Sequence, residues 1–210
     1  TSYKLKAEGD LHVNKLKSSS LTLVSDKEAK IDLAMDINTT DQSYRFEKGD
    51  LTIEEMQFNV GGAIDSSSID LNVEGSQIQV SQLVESLIPE ESEHAGKYEG
   101  QGLVNFNGRI HGELSRLAMP SIEASFDVEQ GALVESENQL KIQDIQLVGT
   151  YANAFEERKE NLHLSAFSFK LLNSHLGGTG KIEDFEQPEL ITQAKGDLDL
   201  NAFHRFFKFK

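Results

Sequence analysis

The sequence predicts an all-β protein with a few short helices, its repeated antiparallel meander units forming a curved, groove-like sheet. Three observations predict this. Apolar and polar residues alternate with period two over most of the chain, turn-forming residues punctuate the alternation at short intervals, and one phrase returns near both ends. The phrase runs Ala7-Glu8-Gly9-Asp10-Leu11-His12-Val13-Asn14-Lys15-Leu16 and again Ala194-Lys195-Gly196-Asp197-Leu198-Asp199-Leu200-Asn201-Ala202-Phe203. A degenerate copy, Val73-Glu74-Gly75-Ser76-Gln77-Ile78-Gln79-Val80-Ser81-Gln82-Leu83, has one residue inserted around its Gly. In each copy an alternating pattern ends in a spaced apolar residue, which predicts a strand turning into a short amphipathic element. A chain built by repeating one unit suits a surface or a groove better than a catalytic pocket.

Taken in order, Tyr3/Leu5/Ala7 and Leu11/Val13 predict two strands joined near Gly9. Leu21/Leu23, Ile31/Leu33/Met35/Ile37, Tyr44/Phe46 and Leu51/Ile53 follow, bounded by Ser25-Asp26, Asn38-Thr39-Thr40-Asp41 and Lys48-Gly49-Asp50. Met56/Phe58/Val60, Ile69/Leu71/Val73 and Ile78/Val80 continue the meander, with Gly61-Gly62 and Gly75 as corners or bulges. The period then changes. Leu83, Val84, Leu87 and Ile88 form the stripe of a short helix, with Ser81 as N-cap and Pro89 as stop. Residues 1–89 therefore read as one β-repeat unit ending in a helix, 90–99 as a polar, acidic linker, and 100–210 as further β-repeat units. In the latter, strands are predicted at 102–110, 121–128, Leu133, Leu140/Ile142, Ile145/Leu147, Leu162/Leu164, Phe167/Phe169/Leu171, 180–182 and 190–200. Gly108-Arg109-Ile110 and Gly180-Lys181-Ile182 read as recurrent turns ahead of Pro120 and Pro188.

Composition narrows the function. With 35 acidic against 20 basic residues the formal charge is −15, which argues against a nucleic-acid partner, because phosphate binding needs a concentrated positive stripe. The same charge disfavours docking of the general surface on an anionic leaflet. The basic, aromatic stretch at 203–210 is the exception; it reads as a truncated helix packing its Phe residues on a neighbouring unit, with a membrane-touching tail as the alternative. There are no cysteines, so disulfides, thiolate metal sites and cysteine nucleophiles are all excluded. No stretch approaches the roughly 18 apolar residues that span a bilayer. The chain opens in mid-pattern at Thr1-Ser2-Tyr3, as expected of a segment from a longer protein.

His12, His94, His111, His163, His175 and His204 are scattered and none stands at metal-ligand spacing from a second His or a carboxylate. Gly177-Gly178-Thr179-Gly180-Lys181 lacks the full phosphate-loop spacing, has Ile182 where a magnesium-binding hydroxyl belongs, and leads into a strand. A hairpin turn is the better reading. Asp36, Asn38, Thr40 and Glu47 fall at calcium-loop positions, but Asp41 stands where the loop needs Gly and the flanks are strands. Asn38-Thr39-Thr40 is a formal glycosylation triplet that short chance matches explain. No Gly-x-Ser-x-Gly elbow occurs and no carboxylate pair stands out, so no enzyme, no metal and no cofactor is expected.

From about Leu83 onward the chain resembles the C-terminal region of the AsmA-like proteins of Gram-negative bacteria. The resemblance rests on Leu83-Val84-Glu85-Ser86-Leu87-Ile88-Pro89, on the run from Gly100 to Gly112 (Gly100-Gln101-Gly102-Leu103-Val104-Asn105-Phe106-Asn107-Gly108), and on Phe126-Asp127-Val128-Glu129-Gln130-Gly131-Ala132-Leu133. It continues through Leu147-Val148-Gly149-Thr150-Tyr151-Ala152-Asn153, Leu176-Gly177-Gly178-Thr179-Gly180 and Gly196-Asp197-Leu198-Asp199-Leu200. It implies a periplasmic protein whose parent is anchored in the inner membrane, with an apolar β-groove that holds or conducts phospholipid in outer-membrane biogenesis. The implied partners are phospholipid or another envelope lipid and the neighbouring β-repeats of the parent chain. No nucleic acid and no membrane span within this segment are implied. The candidate groove residues are one alternating set per strand: Ile31, Leu33, Met35, Ile69, Leu71, Phe126, Val128, Leu162, Leu164, Phe167, Phe169, Leu198 and Leu200. The alternative is a structural or scaffold β domain whose apolar face is closed by a second sheet and which binds protein partners along strand edges.

Overall fold

A computed structural model of the chain describes residues 1–18, 21–53, 56–81, 98–114, 120–135, 140–153, 159–185, 187–197 and 199. They form one open antiparallel sheet whose strands follow one another in chain order. The strands are β1 (Ser2–Ser18), β2 (Leu21–Asn38), β3 (Ser43–Ile53), β4 (Met56–Ile64), β5 (Ser68–Gln79) and β6 (Tyr98–Glu113), then β7 (Ser121–Glu135), β8 (Leu140–Ala152), β9 (Asn161–Leu171), β10 (Ser174–Glu183) and β11 (Glu189–Asp197). The sheet is continuous across residues 80–97, since β5 pairs with β6 from Ser68↔Glu113 to Gln79↔Leu103. Tyr98 and Glu99, expected in the linker, belong to β6.

The all-β meander is as predicted, but its strands are longer than the turn signals imply. Gly9 joins no pair of strands; it lies inside the 17-residue β1, opposite Ile31. Ser25-Asp26 lies within β2 and Lys48-Gly49-Asp50 within β3. Gly61-Gly62 lies within β4 and pairs in register with Leu71 and Asn72. Gly108-Arg109-Ile110 and Gly180-Lys181-Ile182 are strand interior as well, in β6 and β10. The Gly-rich run at 177–181 is likewise not a hairpin turn. It lies in β10, and a Cβ on Gly178 would sit 1.9 Å from the Gln193 carbonyl of β11, so close approach of the neighbouring backbone is what requires glycine there.

Bulges account for some of these signals, at Gly49 and between Gly178 and Gly180. Every pairing except β4–β5 and β10–β11 carries a register shift, including Gly75/Ile78 and Val128/Gly131. Gln77, Gln130 and Asp144 adopt positive φ beside such shifts. An extra residue on one strand lets the chain keep pairing while the local twist increases, so a residue set that usually ends a strand bends it instead.

Val80 and Ser81 begin a helical turn directly after β5. The rest of the helix expected to 88, the linker at 90–97 and the stretch at 203–210 lie outside the described residues. The first copy of the repeated phrase differs from expectation, because it continues as strand to Ser18.

Burial is concentrated at the end of the sheet where β1 hands over to β2 and β3 to β4. Ala29, Ile53, Met56, Ile78 and Val104 are buried there, flanked by Val13, Leu51, Phe58, Val80, Phe106 and Val128. A second cluster, Ile142 and Leu171 with Leu133, Ile145 and Phe169, extends the same end across β7–β9. Full burial of side chains the size of Ile78 and Leu171 stabilises by ~1.5–3 kcal/mol each. The opposite end is stapled by polar turns. The Asp65 carboxylate accepts hydrogen bonds from the backbone N–H and hydroxyl groups of Ser67 and Ser68, at 2.6–2.9 Å. Asn153 accepts from the Ile122 N–H at 2.8 Å and donates to the Pro120 carbonyl at 3.0 Å, tying the end of β8 to the start of β7.

Candidate functional site: an uncovered apolar face

Directly paired residues of an antiparallel sheet project from the same face, so the registers can be followed from edge to edge. One such row runs Gly9, Ile31, Leu51, Phe58, Gly75, Phe106, Phe126, Gly149, Leu164, Gly180, Thr192, one residue per strand from β1 to β11. It contains no charge. Its neighbour, one residue away along each strand, runs Glu8, Asp32, Asp50, Asn59, Glu74, Asn107, Ser125, Thr150, His163, Lys181, Ile191, and projects from the opposite face. The sheet thus carries a charge-free row over its whole width, roughly 48 Å at about 4.8 Å per strand, and an opposite row that is polar from β1 to β10.

The predicted groove residues Ile31, Leu33, Met35, Ile69, Leu71, Phe126, Val128, Leu162, Leu164, Phe167 and Phe169 all project from the apolar face, and all are half-buried. Leu198 and Leu200 lie outside the described residues. A closed sandwich would bury such positions. Among the described residues no second sheet lies against them, and strands make substantial contact only with their chain neighbours. Tyr3, Leu5 and Leu11 on β1, Tyr44 on β3 and Leu190 on β11 are outright exposed on this same face.

Reading the sequence alone misses how the phenyl groups are laid out. Phe46 pairs with Gly62, Phe58 and Phe106 flank Gly75, Phe126 pairs with Gly149, and Phe167 pairs with Gly178. A Cβ built on Gly75 would meet Phe106 at 2.5 Å and Ile78 at 2.7 Å; one on Gly149 would meet Phe126 at 2.7 Å. At Gly75 and Gly149 a phenyl ring therefore lies against the bare glycine backbone, and Phe58 and Phe106 come to 5.8 Å between centroids across Gly75. One signal for it was present: Gly62, Gly75, Gly108 and Gly149 occupy the apolar phase of the alternation, two residues after Val60, Val73, Phe106 and Leu147.

The polar face is a lattice of cross-strand pairs. Lys4 bridges Glu47 at 2.6 Å and Asp36 at 3.4 Å, Lys48 pairs with Asp32 and Asp50, and Arg109 grips Asp70 with two bonds at 2.8 and 2.9 Å. These contacts raise the pKa of Lys4, through Glu47 first, and lower that of Asp70, through Arg109. Two carboxylates of the formal calcium pattern, Asp36 and Glu47, are thus already occupied by an ammonium. His12 contacts Glu28 at 2.8 Å and His111 lies 4.0 Å from Glu123. The Tyr151 hydroxyl donates to Glu160, and burial with that bond pushes its pKa upward. Depressions on this face, such as the 710 Å³ one among Asp50, Asn59, Glu74 and Asn107, are gaps between side-chain rows.

Among the described residues no three His, Cys, Asp or Glu side chains converge as a metal site, and no helix is long and apolar enough to cross a membrane. Compared with protein-family models, with curated proteins and with solved structures, the chain matches none.

Proposed function

We propose that this chain is a non-enzymatic lipid-handling segment of an AsmA-like envelope protein, in which the apolar face holds or conducts phospholipid acyl chains. The observation that carries the reading is the charge-free row across the eleven described strands, half-buried at most of its positions and, among the described residues, covered by no second layer. An acyl chain laid on it transfers methylenes from water at up to about 0.8 kcal/mol each, and such binding needs no polar recognition motif. The parent protein's periplasmic location and its part in outer-membrane biogenesis belong to the same proposal, and rest on the resemblance in the second half. The scaffold reading called for a closing sheet, so it is the weaker of the two for this face.

The test is native mass spectrometry with lipid extraction on the protein purified from bacteria, alongside displacement of a fluorescent fatty acid. Co-purified phospholipid is expected, and Leu164→Asp or Ile69→Asp should reduce it in a protein whose circular dichroism is unchanged. A wild-type protein that carries no lipid and binds no hydrophobic probe would sink the reading.

A further inference from the structure

Where the apolar face reaches the end of the sheet opposite the buried clusters, β8, β9 and β10 build a corner of different chemistry. Tyr151 projects from the apolar face, since it pairs with Ala124 and with Leu162, which in turn pairs with Ile182. Glu160, two residues ahead of Leu162, brings its carboxylate to the same side, where it accepts a hydrogen bond from the Tyr151 hydroxyl. The Phe185 ring stands 6.3 Å from the Tyr151 ring, tilted by 47°, and Phe185 is 43% exposed. The main chain holds this corner together, because the Asp184 N–H donates to the Glu160 carbonyl at 2.9 Å. The nearby ammonium is engaged elsewhere: Lys159 pairs with Asp184 at 2.6 Å, and among the described residues no cation pairs with Glu160.

We propose that this corner binds the ammonium of a phospholipid headgroup, so that the protein favours lipids ending in an ammonium over lipids of net negative charge. The proposal rests on the lipid reading above and adds the headgroup to it. Two aromatic rings beside a carboxylate attract a cation and repel an anion, because ring faces carry the negative part of the quadrupole and the remaining lone pairs of Glu160 accept N–H donors. An ammonium bonded to Glu160 comes within about 6 Å of the Tyr151 ring, the reach of cation–π attraction, since the hydroxyl on that ring already meets the carboxylate. The acyl chains then lie back over Leu162, Leu164 and Phe167, which continue β9 along the apolar face. The formal charge of −15 acts in the same direction, as a general repulsion of anionic headgroups.

The test is a competition between phosphatidylethanolamine and phosphatidylglycerol with identical acyl chains, offered in equal amounts to the 210-residue chain. Native mass spectrometry reads the headgroup ratio and the total lipid separately. Wild type should carry the ethanolamine lipid in roughly three- to tenfold excess. Glu160→Gln, which can still accept the Tyr151 hydrogen bond, should bring the ratio close to one with the total unchanged, and Phe185→Leu should lower the excess. Free ethanolamine at the same concentration should leave no adduct. A wild-type ratio of one, or an excess unchanged in Glu160→Gln, would overturn the headgroup site and leave lipid binding standing. No lipid of either kind, or an adduct of free ethanolamine alone, would overturn both.

Discussion

Ile31 and Asp32 are consecutive residues of β2, yet they head rows of opposite character. From Ile31 one crosses the sheet over Leu51, Phe58, Phe106 and Phe126; from Asp32, over Asp50, Asn59, Glu74 and Asn107. The polar row satisfies itself: its charges and amides find partners on the next strand at hydrogen-bond distance, as Asn59 does with Asp50 at 2.9 Å and Asn107 with Glu74 at 3.1 Å. The apolar row has no equivalent way to satisfy itself within one sheet. Neighbouring side chains cover one another only in part, so each remains half wet until something lies across them. Among the described residues one face is therefore complete and the other is not, and the lipid proposal rests on the incomplete one.

The sharpest way to test that contrast is to alter adjacent residues on the two faces. Ile78, 1% exposed, and Gln79, exposed, follow one another at the end of β5. Ile78→Ala should cost ~2–5 kcal/mol in urea unfolding and Gln79→Ala less than ~0.5 kcal/mol. Comparable losses at both would mean that the faces are not energetically distinct. Next in size, Gly75→Ala should destabilise by ~1–3 kcal/mol, because the added methyl meets the Phe106 ring and Ile78. Both obstacles are side-chain atoms, so Gly75→Ala combined with Phe106→Leu should be less damaging than the sum of the two changes, and a double-mutant cycle measures the coupling.

A smaller effect concerns the Asp65 turn. Hydrogen bonds from Ser68 and Ser67 lower its pKa to about 2. The folded value lies below the ordinary carboxylate value of about 3.9, so the contribution is complete above that value and is lost as pH falls towards 2. Asp65→Asn should therefore lower the urea midpoint at pH 6, and the gap from wild type should close by pH 2. A gap that does not change with pH would remove the charge from the explanation. The smallest effect is expected for Arg109→Gln on the exposed polar face, a slight drop in the urea midpoint that added salt erases.

Much of this architecture is legible in the alternation alone. Leu33/Met35, Ile69/Leu71 and Leu162/Leu164 are correctly grouped on a single face because period two is a local property of each strand. Strand length is less legible. Gly9 and Ser25-Asp26 look like ends, and whether a Gly turns a chain or only bulges it depends on the strand it pairs with, which is set by distant residues. Cross-strand register hides the Phe-over-Gly pairs for the same reason: Phe126 and Gly149 lie far apart in the chain and meet only once β7 and β8 are aligned.

The chain-order arrangement of the strands also bears on how the molecule is made. Each strand's partners are the segments immediately before and after it, so a hairpin can form as soon as its second strand is available, without waiting for a distant part of the chain. Loop closure then costs little at each step, and a finished edge serves as the template for the next strand. Folding can follow delivery of the chain, one strand at a time, whether that delivery comes from a ribosome or through a membrane pore.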